Sequence, residues 1–146
     1  MNTLALSGAR ITQVLTEPSC LLVDLIPRGQ FATMFYGIMD TKADALTYSA
    51  AAAPSPLISM PNSNNFGEIG EIIVAEARGK ALGISAEAEY TDRHLAFPPG
   101  AFLFLYSDAL IEGRDEHGDM LGVDGLSSLL SRRSMANSDS SPLGDV

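Results

Sequence analysis

Within residues 4–26, apolar side chains fall at Ile11, Val14, Leu15, Leu21, Leu22 and Leu25, the spacing that puts one apolar stripe along a helix. Pro18 interrupts the stripe. Thr16 is a good helix cap with Glu17 and Pro18 in the turn that follows, so the pattern predicts two short helices meeting near residue 16, ended by Pro27-Arg28-Gly29. Gln30 to Met39 is rich in β-branched and aromatic residues. The polar stretch Asp40-Thr41-Lys42-Ala43-Asp44 separates it from the extended pattern Ala45-Leu46-Thr47-Tyr48-Ser49, which predicts a β-hairpin. Past Pro54 and Pro56, Leu57-Ile58-Ser59-Met60 reads as a further short strand before an Asn-rich loop at residues 62–65.

Residues 67–76 satisfy neither period cleanly and fit a strand or a helix. Glu89 to Phe97 reads as extended and Pro98-Pro99-Gly100 as a turn. Residues 101–106, apolar at nearly every position, predict a strand covered on both faces at the centre of a sheet. A polar turn at Arg114 to Asp119 precedes a helical stripe of Val123, Leu126, Leu129 and Leu130. From Ser131 onward Ser, Asn and Asp dominate, so residues 131–146 are expected to form a mobile polar tail after a domain spanning 1–130. The fold class expected from this order is α+β with mostly antiparallel sheets.

With 146 residues, 46% hydrophobic and 18% charged, the chain has the size and balance of one globular domain with a core of its own. Nine basic against eighteen acidic residues give a formal charge of −9, which repels phosphate backbones and anionic membranes and argues against nucleic acid or a membrane as partner. Cys20 stands alone, so there is no intrachain disulfide and no cysteine-based zinc site, as fits a reducing, cytoplasmic setting. No apolar stretch approaches the ~20 residues of a membrane helix, and no signal peptide is evident.

The stretch with most chemical promise is Tyr106-Ser107-Asp108, where an apolar run meets polar chain and leaves one carboxylate at a strand end. On spacing alone such an aspartate reads as a turn or helix-cap residue. His94 and His117 lack metal-ligand spacing and read as surface histidines. Asp115-Glu116-His117-Gly118-Asp119 reads as a solvated turn, without the alternating ligands and distal glutamate of a calcium loop. Gly79-Lys80-Ala81-Leu82-Gly83 is a turn rather than a phosphate-binding loop, and no serine-nucleophile elbow occurs. The aromatic and Met side chains of Phe31-Ala32-Thr33-Met34-Phe35-Tyr36 read as core.

Five ordered segments resemble the SpoIIE-type branch of the PPM (protein phosphatase 2C-like) family of metal-dependent serine/threonine phosphatases. They are Phe31 to Asp40, Leu46 to Ser49 with Ala51 and Pro54, Leu82-Gly83-Ile84, Phe97 to Asp108, and Glu112 leading into Gly122. The resemblance implies part of an α-β-β-α sandwich and a pair of Mg²⁺ or Mn²⁺ ions. In that chemistry the ions lower the pKa of a bridging water and neutralise charge on the phosphoryl group. It implies that Asp108 is a metal ligand, the one such ligand carried over to this chain.

The same resemblance implies a phosphoserine or phosphothreonine regulatory protein, such as an anti-anti-sigma factor, as substrate, and a fused receiver or sensor domain upstream in a bacterial signalling protein. The match falls on the C-terminal part of the family's domain, without its early aspartate and glycine-aspartate-valine-x-glycine motifs or its closing aspartate-bearing strand. Ala109 stands where the family has glycine, which predicts backbone strain if that position needs positive φ. Ala50, Ala52 and Ala53 stand where many relatives have asparagine, glycine and histidine. These departures raise two further expectations: a degenerate, non-catalytic module that binds a signalling partner, and self-association through exposed sheet edges.

Overall fold

The computed structural model describes residues 11–62 and 69–137. Its elements are α1 (Ile11–Leu25), β1 (Met34–Asp40), β2 (Ala45–Ala51), β3 (Leu57–Pro61), β4 (Ile69–Val74), β5 (Arg93–Ala96), β6 (Phe102–Phe104), α2 (Asp108–Ile111) and α3 (Gly122–Asn137). Contacts divide the chain into two compact units, Met1–Ala53 with Ala77–Ala96, and Pro54–Glu76 with Phe97–Val146. The expected class, α+β with antiparallel sheets, is the one observed.

In the first unit the sheet order is β1-β2-β5, both pairings antiparallel. The predicted hairpin closes on Asp40, whose Oδ1 accepts from the N–H groups of Lys42 (2.9 Å) and Ala43 (3.0 Å). Asp44 completes the turn at φ 49°, a left-handed conformation that aspartate tolerates. Halfway along the ladder Gly37 faces Tyr48, and the Tyr48 ring stacks on Phe35 with centroids 5.3 Å apart. A side chain at Gly37 would crowd Leu46 and Phe35, so the aromatic pair takes the place of the missing Cβ.

α1 is one helix, not two. Ile11, Leu15 and Ser19 form a continuous buried stripe across Pro18, and Leu15 joins Ala51, Leu82, Ala88 and Tyr90 in the core of the unit. Thr16 does not cap a second helix; its hydroxyl donates back to the Thr12 carbonyl at 2.8 Å. An interior proline costs about 3 kcal/mol in an isolated helix, and burial of the stripe on both sides of Pro18 offsets that. The part of the predicted helix before Ile11 lies outside the described residues. Phe31, expected in the core, is 59% exposed, whereas Ala32, Met34 and Tyr36 do pack against it.

In the second unit the order is β4-β3-β6, again antiparallel. Residues 69–74, ambiguous by period, form a strand. The apolar run at 101–106 proves to be three residues of strand at the edge of this sheet, with Phe102 44% exposed, rather than its centre. The centre is β3, where Leu57, Ile58 and Ser59 are all buried. Ser59 is tolerated there because its hydroxyl accepts the Gly70 N–H at 3.1 Å.

α3 follows the predicted stripe at Val123, Leu126 and Leu130, but Leu129 is half exposed, and the helix continues through residue 137, past the expected tail boundary. Residues 138–146 and most of the Asn-rich loop lie outside the described residues. Among the described residues no helix is long and apolar enough to cross a membrane.

Strain is stored at Ala52, which has φ 49° while its N–H donates to the Gly79 carbonyl at 3.0 Å. A left-handed L-residue costs roughly 1–2 kcal/mol, and glycine would return part of that as unfolded-state entropy. Ala52→Gly should therefore stabilise the chain by about 0.5–1 kcal/mol in a denaturant titration, and a loss of stability would remove the strain argument.

Asp40 has its pKa lowered, chiefly by the Ala43 and Lys42 N–H bonds to its carboxylate, with a smaller contribution from the Lys42 charge. A depressed folded-state pKa means its stabilisation is complete above the ordinary aspartate value and is lost as pH falls through the lowered one. The melting-temperature difference between wild type and Asp40→Ala should accordingly be largest near neutral pH and shrink in acid.

Candidate functional site

Asp108 is placed by two backbone features of the second unit. Tyr106, just past β6, donates its hydroxyl to the Ser55 carbonyl at 2.6 Å, tying the end of β6 to the segment that leads into β3. The chain then turns through Ser107, an extended residue (φ −98°, ψ 161°) at the N-cap position, whose carbonyl accepts from the Leu110 N–H at 3.0 Å. Asp108 opens α2, and its own carbonyl accepts from the Glu112 N–H at 2.9 Å. Its side chain is exposed and takes no hydrogen bond from the described residues, so it is not spent as the turn or cap ligand that spacing alone suggests.

Ala109 lies within α2, and among the described residues the left-handed non-glycine residues are Asp44 and Ala52, so the strain expected at Ala109 is absent. A residue in the first turn of a helix needs negative φ, and alanine adopts it freely. Strain falls instead on Ala52, at φ 49°, the position where the family resemblance implies glycine. Ala50 is buried, so its methyl group lies in the core.

Among the described residues the other titratable groups form no centre. His94 is exposed and shares a 2.9 Å hydrogen bond with Thr47 across the β2–β5 ladder. His117 is exposed in a turn closed by Asp115, whose Oδ1 accepts from the N–H groups of His117 (2.9 Å) and Asp119 (3.0 Å). Cys20 is exposed and free. Among the described residues no three His, Cys, Asp or Glu side chains approach closely enough to hold a metal ion. A hard divalent cation takes about six oxygen ligands, so the described residues by themselves do not fit a two-metal centre.

The family model described as Stage II sporulation protein E (SpoIIE) matches residues 1–143. The chain belongs to the SpoIIE family. It is also 29% identical over 120 residues to the protein named Phosphoserine phosphatase RsbU of Bacillus subtilis (strain 168), an alignment covering 81% of this chain and 33% of that protein. The chain thus spans about a third of the length of the curated relative it matches. No solved structure matches it.

Within this SpoIIE-family chain the tie between Tyr106 and Ser55 escaped the sequence reading, which took Tyr106 only as the end of a strand. The signal was a tyrosine ending an apolar run: its ring packs with the strand, while its hydroxyl requires a polar partner. The Tyr106 pKa is raised, first by partial burial and second by the Asp108 carboxylate.

Both causes disfavour the phenolate, so the folded chain keeps this proton above the ordinary tyrosine pKa. Stability is then complete below that value and falls as pH rises through the raised one. Asp108→Asn should lower the Tyr106 midpoint in an NMR titration of ring-labelled tyrosine. An unmoved midpoint would separate the two groups.

Proposed function

We propose that this chain supplies part of the catalytic domain of a metal-dependent protein serine/threonine phosphatase in bacterial signalling, with residues 1–130 as the domain portion. The observation that carries the reading is the SpoIIE match over residues 1–143, with an exposed, unbonded Asp108 at the strand end where the family resemblance puts a metal ligand. The substrate we infer is a phosphoserine or phosphothreonine regulatory protein of the anti-anti-sigma kind, in keeping with a relative named a phosphoserine phosphatase. A cytoplasmic setting and a receiver or sensor domain in the same polypeptide belong to this reading.

Electrostatics bears on the cofactor. A chain of formal charge −9 repels a phosphorylated, anionic substrate, and a Mg²⁺ or Mn²⁺ ion beside Asp108 would reverse the local sign. One carboxylate cannot complete such a site, so the remaining ligands must come from outside the described residues. What this chain contributes is an oriented carboxylate, held two residues beyond an anchored tyrosine.

A second reading is favoured by Ala50, Ala52 and Ala53, which put methyl groups where many relatives carry polar or glycine residues: a non-catalytic module that binds a signalling partner.

Manganese-dependent hydrolysis of a phosphoserine peptide decides between the two. The 146-residue chain alone should turn over little, and strong turnover would overturn the assignment of an incomplete site. If the native polypeptide extends further, it should be active, and Asp108→Asn in it should reduce turnover by roughly 100-fold or more, beyond the usual effect of losing an outer-shell partner. Activity unchanged by that substitution would take Asp108 out of the site, and an inactive native polypeptide would favour the binding module.

A further inference from the structure

The geometry points to Tyr106 as a positioning residue for Asp108: its hydroxyl, bonded to the Ser55 carbonyl, sets where the chain leaves β6 and hence where the carboxylate stands. This role deepens the phosphatase reading and rests on it, because Asp108 is the carboxylate that reading uses.

β3 and β6 pair antiparallel, with Ser59 opposite Phe102 and Leu57 opposite Phe104. Continued by two residues, the same register would set Ser55 opposite Tyr106. The ladder stops short of that pair, since Pro54 and Pro56 have no N–H to give it. There the half-buried Tyr106 donates its hydroxyl to the Ser55 carbonyl at 2.6 Å, a side-chain bond where the backbone bonds end. The acceptor is itself held. Ser55 precedes a proline and is confined to extended backbone. Pro56 is fully buried, and its carbonyl accepts the Ala75 N–H at 2.9 Å. Tyr106 is therefore tied to the chain entering the central strand of its sheet.

One extended residue, Ser107, separates the anchored tyrosine from Asp108. The bonds that follow are local, from the Leu110 N–H to the Ser107 carbonyl and from the Glu112 N–H to the Asp108 carbonyl. A helix as short as α2 has no stability of its own, and none of its four residues is buried. The Asp108 side chain takes no hydrogen bond from the described residues, so no neighbouring donor aims it. Its placement falls to the backbone, and among the described residues the bond from Tyr106 to Ser55 is the tertiary hydrogen bond nearest to it along the chain. A displacement of about 1 Å at a reacting group can cost on the order of 100-fold in rate, so this one hydroxyl bears on turnover.

Tyr106→Phe keeps the ring and removes the bond. In the 146-residue chain it should quicken hydrogen exchange at the Leu110 and Glu112 amides roughly 2- to 10-fold, the range that one net hydrogen bond supports. These amides open locally, whereas a merely structural loss would show in the slowest amides, which report global unfolding. Tyr90→Phe is the control: it removes a buried hydroxyl with no hydrogen-bond partner among the described residues, and should leave the α2 amides as they were. In the native polypeptide Tyr106→Phe should lower kcat for a phosphoserine peptide roughly 10-fold with KM within about twofold. Unchanged exchange at Leu110 and Glu112 would overturn the positioning role whether or not the native polypeptide is an enzyme. An active native polypeptide whose kcat ignores the substitution would overturn it too. Quickened exchange with no turnover even in the unsubstituted native polypeptide would sink the phosphatase reading and leave Tyr106 as the residue that places Asp108.

Discussion

Close backbone packing on β2 is the constraint around which the first unit is arranged. Residues 48–51 of this strand are all buried, and the strand pairs with β1 along its length and with β5 over residues 45–48. The backbone at Gly79 lies so close to the Ala50 carbonyl that a Cβ there could not fit, and Ala51 meets Leu15 of α1 in the core. Such packing demands glycine at position 79. It also explains the left-handed Ala52: the strand must end and turn while its next N–H still reaches the Gly79 carbonyl, and this geometry outweighs the preference of alanine for negative φ.

Local chemistry was the part of the fold most legible in the sequence. The hairpin could be read because Asp40 and Asp44 are turn residues between two extended runs, and they occupy the turn as expected. What could not be read was set by packing between distant segments. Pro18 looks like a helix boundary until the stripe through Ile11, Leu15 and Ser19 is known to be buried on both sides of it. The run at 101–106 looks like a central strand because apolar content signals burial, yet it cannot say which strands flank it. Residues 57–60 read as a short strand, but their central place did not, since the partner that lets Ser59 be buried, the Gly70 N–H, is eleven residues away.

The site followed the same division. Asp108 was visible as a carboxylate after an apolar run, and its family role as a resemblance carried by ordered motifs. Its anchoring was not visible, since the Tyr106 hydroxyl bonds a carbonyl 51 residues earlier in the chain. The expectation of strain at Ala109 treated a missing glycine as a conformational fact. A glycine can be favoured for space as well as for φ, and in a first helical turn the φ argument has no force.

Ala52 separates backbone conformation from side-chain chemistry. At this position the backbone keeps the conformation that suits glycine, at a cost of roughly 1–2 kcal/mol in a protein whose whole stability is of order 5–15 kcal/mol. The neighbouring side chains, at Ala50, Ala51 and Ala53, are methyl groups. If the turn existed only to present polar groups to a substrate, nothing would hold it in a strained form once those groups were gone. It persists because the Ala52 N–H bond to Gly79 and the close approach at Ala50 belong to the core of the unit. The shape of this segment is therefore a property of the fold, and its chemistry is a separate layer. The proposed chemistry rests instead on Asp108 of the second unit, exposed and without a hydrogen bond from the described residues.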